Sequence, residues 1–213
     1  MLIDTHVHLQ HPEYGNELHA ILARAAIAGV EKMVVASYDL SSSREAVKIA
    51  EEVEACYATV GIHPHAAKDV SREMMEELER LASSSRVAAV GETGLDYHYM
   101  HSSKAAQLAS LEAHLELCER QGKPIIIHDR EAHDDMLTAL EGFPVNRLGG
   151  VWHCFSGDLL LAEKIMAKVS GHRRHSHLFQ RVGRDSTAAP AGEDRPGNGC
   201  PLSGPGALQG AAQ

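Results

Sequence analysis

Val87-Ala88-Ala89-Val90-Gly91-Glu92-Thr93-Gly94-Leu95-Asp96-Tyr97 runs from an unbroken apolar segment into a cluster of polar groups within one short stretch. The apolar part does not alternate, which is how a strand buried on both faces reads. Two carboxylates and two glycines follow it at once, so this strand carries chemistry at its C-terminal end. The same phrase recurs on either side. Apolar runs of strand length stand at Leu2–Ile3, Lys32–Ala36, Ala58–Ile62, Val87–Val90, Pro124–Ile127 and Gly150–Trp152. Helical patterns lie between or after them, at about 16–28, 42–53, 71–83, 102–121, 132–141 and 158–169. Ser42-x-x-Glu45 has the form of a capping box, Ser71 of an N-cap, and Gly29 and Gly122 stand where left-handed helix stops belong.

Six strand–helix units in strict alternation predict a parallel sheet with helices outside. Five of the six strands end in a polar motif: Asp4-Thr5-His6-Val7-His8, His63-Pro64-His65, Glu92 to Tyr97, His128-Asp129-Arg130 and His153-Cys154-Phe155-Ser156-Gly157. Chemistry spread over many strand ends suits a (β/α) barrel, whereas an open sheet gathers its ligand at one switch point. The expected fold is therefore a TIM (β/α) barrel, and an incomplete one, because a full barrel needs eight units and ~250 residues. The domain is expected over residues 1–170.

Composition narrows the classes further. The chain of 213 residues is 44% hydrophobic, enough for a core, and no stretch approaches the ~18 apolar residues of a membrane span. The N-terminus has neither the basic nor the apolar region of a signal peptide, and four scattered cysteines build no framework, so a cytoplasmic protein is expected. A net charge of −9 argues against a surface that coats nucleic acid, though not against a local phosphate site. Residues 171–213 change character: they hold eight of the eighteen glycines and four of the eight prolines, with no Ile or Lys, and read as a disordered tail.

Fifteen histidines are the unusual count. His6 and His8 share one face of a strand end and can chelate one ion. Glu92, His128 and His153 also end strands, and in a barrel these positions converge. Three histidines, a carboxylate and a bridging acid suffice for two metals ~3.5–4 Å apart, with Glu92 the natural bridge. His63 and His65 fit a metal ligand, a hydrogen-bonding group for a phosphate oxygen, or a loop stiffened by Pro64. Asp96 and Tyr97 either position substrate or complete the turn that Gly94 begins. Arg130 is either a phosphate clamp or a solvated charge at a helix start. His11, His19, His98, His101, His114 and His133 lack a partner motif and are expected on the surface. There is no P-loop and no nucleophile elbow.

In order and spacing, Asp4-Thr5-His6-Val7-His8-Leu9, Val60-Gly61-Ile62-His63-Pro64-His65, Gly91 to Tyr97, Pro124-Ile125-Ile126-Ile127-His128 and His153 to Gly157 resemble the TatD-related deoxyribonucleases. The resemblance covers residues 1 to about 170. It implies a metal-dependent hydrolase on a TIM barrel that cleaves the phosphodiesters of DNA, commonly as a 3′-to-5′ exonuclease. It implies two divalent ions (Mg, Mn or Zn), His6 and His8 on one, Glu92 bridging, and His128 and His153 on the other. His63 and Arg130 would orient the phosphate, and His65, Asp96 and Tyr97 would meet the substrate, with no obligate protein partner. Amidohydrolases share H-x-H but typically carry a modified Lys where Glu92 stands. A small-molecule phosphoesterase or amidohydrolase, and an inactive truncated fragment, are the alternatives.

The family pattern also has a metal-binding Asp in a segment like E-T-D-x-P after its last strand, and no such segment occurs here. The tail is therefore expected to be a frame-shifted product. Reading one nucleotide later across Gly197 to Ala211, with permitted codons, yields Glu-Thr-Asp-Ala-Pro-Tyr-Leu-Ala-Pro-Val-Pro-Tyr-Arg-Gly. Weak activity is expected of the chain as it stands.

Overall fold

The structure, a computed structural model, describes residues 2–169. The Gly/Pro-rich tail, its expected disorder and the frame-shift reading all fall outside the described residues. Six parallel strands, β1 (Leu2–Val7), β2 (Val30–Val35), β3 (Cys56–Val60), β4 (Val87–Asp96), β5 (Ile125–Arg130) and β6 (Gly150–Trp152), form one sheet in sequence order. The helices are α1 (Leu18–Ile27), α2 (Leu40–Glu52), α3 (Arg72–Ala82), α4 (Lys104–Gln121), α5 (His133–Ala139), α6 (Val145–Leu148) and α7 (Leu159–Val169). Two 3-10 turns, Pro12–Tyr14 and Pro64–Asp69, follow β1 and β3. The sheet curls into a half-barrel with its helices outside, an incomplete TIM barrel. Among the described residues, β1 and β6 each pair with a single neighbour. No described helix is long and apolar enough to cross a membrane.

The core lies on both faces of the central strands, as their non-alternating composition requires. Val35, Val60, Val90 and Ile125 are fully buried, and Ala46, Ala50, Leu78, Leu111 and Cys118 close the helical layer over them. Local signals set the helix ends. Ser71 caps α3 by accepting from Met74 N–H (3.3 Å), and Ser103 caps α4 by accepting from Ala106 N–H (3.2 Å). Gly122 ends α4 in the left-handed conformation at φ +63°.

The capping box of α2 lies one turn earlier than its expected place. Asp39 accepts from Ser42 N–H (2.6 Å) and Ser42 Oγ accepts from Asp39 N–H (2.9 Å), so the helix starts at Leu40. Ser42 therefore sits at the third helical position and not at the cap. β4 also continues six residues beyond the expected Val90. Gly91 and Gly94 allow this: a Cβ on Gly91 would collide with the carbonyl oxygen of Ile126, and one on Gly94 with that of His128. Their φ angles of +130° and +148° also exclude ordinary side chains. The close approach carries Glu92 and Asp96 up to the rim beside β5.

Candidate metal centre

Glu92 is anchored from its backbone outward. Its N–H donates to Ser37 O (2.8 Å), while Ser37 Oγ (3.2 Å) and Thr59 Oγ1 both donate to the carbonyl oxygen of Gly91. The carboxylate is 3% exposed and its two oxygens serve different neighbours. Oε2 lies 3.2 Å from His6 Nε2, and Oε1 lies 3.1 Å from His128 Nδ1 and 4.0 Å from His63 Nε2. Two sets of potential ligands result, His6–Glu92–His153 and His63–Glu92–His128, each with ligand atoms within 4.8 Å of one another.

The first set, with His8 beside His6, fits a cation on its donor chemistry. His8 Nδ1 donates to Ala36 O (2.7 Å), which fixes the tautomer and leaves the Nε2 lone pair open. That nitrogen lies 3.2 Å from His6 Nε2, the spacing of two ~2.1 Å bonds meeting at one ion. Without a cation or proton between them the lone pairs repel. His6 Nδ1 is buried with no hydrogen-bond partner among the described residues. The ring of His153 stacks on that of His6, with centroids 3.5 Å apart and planes 12° from parallel. His153 thus keeps company with His6, whereas the resemblance had paired it with His128. The reason is the curl: β1 and β6 are the two sides of the opening, and their tips approach one another.

The electrostatics divide the imidazoles. Burial pushes His63 and His153 down to about 3 and lowers His8, so these rings are neutral donors. Burial also opposes charge on His128, but hydrogen bonds to Asp96 and Glu92 outweigh it and lift this ring to about 9. For Glu92, burial alone would favour the acid; the electrostatic attraction of His6 and the hydrogen bonds of His128 and His6 instead hold it well below the carboxylate range.

Asp96 is the second buried carboxylate. Its Oδ2 accepts from His65 Nε2 (2.9 Å) and His128 Nε2 (3.1 Å), and its Oδ1 accepts from the N–H groups of His98 (3.1 Å) and Tyr99 (2.8 Å). Against the effect of burial, these bonds keep it ionised. Asp96 therefore joins His65 to His128 and His63, whose ring lies 4.3 Å from those of both His65 and His128. Tyr97 and Arg130 stand at the rim. The Tyr97 hydroxyl donates to Asp135 (2.7 Å) under the Lys104 ammonium, and burial with that carboxylate raises its pKa. Arg130 lays its guanidinium over the Tyr99 ring at 4.8 Å.

Two residues of α4 that carried no motif turn out to hold the site. Gln107 Oε1 accepts from Asp96 N–H (2.7 Å), and its Nε2 donates to Asp96 O (3.0 Å) and Ser102 O (2.8 Å). His114, expected on the surface, is completely buried: its Nε2 accepts from Ile62 N–H (3.0 Å) and its Nδ1 donates to Ser110 O (2.7 Å). It pins the backbone just before His63. Seven residues apart, the two share one helix face, and they read as a buried polar pair only once that face is known to meet the sheet. His133 is half-buried and bonds Asp129 (2.6 Å), while His98 and His101 are exposed as expected.

Against known proteins, the family model described as TatD related DNase matches residues 3–172. A Bacillus subtilis protein named "Uncharacterized metal-dependent hydrolase YabD" is 36% identical over 166 residues, covering 78% of this chain and 65% of that protein. A "3'-5' ssDNA/RNA exonuclease TatD" of Edwardsiella piscicida is 36% identical over 157 residues, covering 73% and 60%. The crystal structure of YJJV, a TatD homologue from Escherichia coli, superposes with a TM-score of 0.72 at 33% identity, covering 78% of this chain and 65% of that one. The chain thus spans 60–65% of the length of the curated relatives described. With five ordered motifs, the curled parallel sheet and the imidazole cluster at its mouth in agreement with these matches, the chain belongs to the TatD-related DNase family.

Proposed function

We propose that the chain is a metal-dependent hydrolase of DNA phosphodiester bonds, working from the 3′ end with two divalent ions (Mg, Mn or Zn). One observation carries this reading: the oxygens of Glu92 are divided, Oε2 toward His6 and Oε1 toward His128 and His63. A carboxylate so placed would hold a cation with each oxygen. His6, His8 and His153 would hold one ion and His128 the other, with His63 placed beside them to meet the phosphate. When bound, such ions neutralise phosphoryl charge and acidify a coordinated water.

The chain's own groups supply the rest. His63 Nδ1 accepts from His65 N–H (3.2 Å), so its neutral ring carries the proton on Nε2. That N–H is a donor for a phosphoryl oxygen. Arg130 makes no ion pair among the described residues, and its planar fork suits a phosphate. Asp96 holds His65 and His128, and Tyr97 borders the entrance. The name carried by the Edwardsiella relative supports a nucleic-acid substrate.

The test is incubation with 3′- and 5′-labelled single-stranded DNA, and separately with p-nitrophenyl phosphate, in Mg²⁺ and in Mn²⁺. Stepwise release from the 3′ end, abolished by EDTA and by Glu92→Gln, is expected. Turnover of the small ester without any release from DNA would overturn the nuclease reading in favour of a phosphoesterase.

A further inference from the structure

The segment between Asp96 and α4 builds an aromatic shelf beside the centre. It is held firmly, by Asp96 Oδ1 at the N–H groups of His98 and Tyr99 and by Gln107 at Ser102 O (2.8 Å). Yet the Tyr99 ring is 42% exposed and does not belong to the apolar core. His101 is exposed and lies within 4° of parallel to Tyr99, with centroids 5.8 Å apart. His65, bonded to Asp96, meets both rings edge-on at 5.5 and 4.6 Å, and its own centroid is 6.3 Å from that of His128. The shelf is therefore one ring removed from the candidate ligands. Over Tyr99 sits the Arg130 guanidinium at 4.8 Å, while the neighbouring Glu131 is engaged by His98 (2.8 Å).

Exposed rings on a firmly held segment, beside a guanidinium with no carboxylate partner among the described residues, fit the needs of one kind of ligand. Every nucleobase has a π-face that stacks on an aromatic ring, and the adjoining phosphate suits a guanidinium fork. We propose that Tyr99 and His101, with Arg130, form a subsite that stacks a nucleobase of a single-stranded nucleic acid and holds the phosphate next to it, beside the scissile bond. The proposal rests on the nuclease reading and deepens it. Base recognition by stacking is sequence-tolerant, so the subsite confers preference for an unpaired strand and not for a base sequence.

The test measures binding of a fluorescent single-stranded oligodeoxynucleotide by anisotropy, using the full 213-residue chain in Ca²⁺. An oligomer with abasic 3′-terminal residues has the same backbone and serves as the comparison. Tyr99→Ala is expected to weaken binding of the base-bearing oligomer roughly 5- to 100-fold and leave the abasic one unchanged. Tyr99→Phe should keep near-native affinity. Arg130→Gln should weaken both oligomers and reduce the salt dependence by about one charge. Equal losses for both oligomers in Tyr99→Ala, or no loss for either, would overturn the subsite while sparing the nuclease reading. Should the wild-type chain bind Mn²⁺ but neither oligomer, both readings fall. His101→Ala, on an exposed loop residue, carries the same comparison if Tyr99→Ala fails to fold.

Discussion

Asp96→Asn changes one atom and separates two roles of that carboxylate. Asn keeps Oδ1, which accepts from His98 and Tyr99 N–H, so the loop retains its anchor. The change falls on Oδ2, which now accepts from His65 (2.9 Å) and His128 (3.1 Å). In the native chain His128 is lifted to about 9, so at pH 7.5 it holds a proton that an incoming ion must displace. That displacement costs about 2 kcal/mol, from a gap of roughly 1.5 pH units at 1.36 kcal/mol each. After it, Nε2–H still donates to Asp96 and Nδ1, facing Glu92, offers its lone pair. An Asn amide reverses this: its N–H₂ donates to Nε2, the proton settles on Nδ1, and the wrong tautomer faces the ion. Calorimetric Mn²⁺ titration in two buffers of unlike ionisation heat reads both effects. About one proton should leave the native chain through His128, and distinctly less should leave Asp96→Asn. Affinity for the second ion should fall about 10- to 100-fold. Equal proton release from both chains would refute this account of His128.

Three further outcomes follow from the same contacts. In EDTA, His128 stabilises the fold fully below its unfolded value of 6.5, and this contribution, about 3 kcal/mol, is lost as pH rises through about 9; His63 and His153, held neutral near 3, make stability fall again as pH drops below 6.5. Urea midpoints should therefore peak between pH 6.5 and 7.5, and a steady rise from pH 7 to 9 would contradict it. Gln107→Leu strands Asp96 N–H and the carbonyls of Asp96 and Ser102, at about 3 kcal/mol or more in urea melts, and a loss under 1 kcal/mol would show that water replaces the amide. Gly94→Ala should prevent folding, visible as lost near-ultraviolet dichroism, because the added Cβ meets the His128 carbonyl on the neighbouring strand.

Much of this was legible in the residues, and the gaps have causes. Val/Ile runs without alternation mark the strands, and all six occur; burial on both faces holds for the central ones, while Leu2 and Ile3 of the edge strand β1 are exposed. Local chemistry set Ser71 and Gly122 correctly but misplaced the α2 cap, because Asp39 and Ser42 can each act as cap or as its reciprocal partner and only the backbone decides. His114 was misread for a different reason: neither composition nor motif tells which side of α4 faces the sheet, and its two partners, Ile62 and Ser110, emerge only once that side is known. Gln107 escaped for the same reason. The convergence of His6, Glu92, His128 and His153 followed from strand order alone. Their pairing did not, since it depends on how far the sheet curls.

That curl explains how the six described strands bring these side chains together. Along the sheet β1 and β6 are far apart in order, with no described strand between them to complete a ring. At the C-terminal mouth, however, His6 and His153 stack at 3.5 Å. The gap is therefore bridged by side chains where the strands leave it open. Gly91 and Gly94 contribute directly, since the missing Cβ atoms let β4 press against the backbone of β5 on either side of Glu92. A carboxylate buried as deeply as that of Glu92 is costly without a counter-charge, and the His128 imidazolium 3.1 Å away supplies one. In the two groups of potential ligand atoms that share the Glu92 oxygens, a cation would add to that counter-charge.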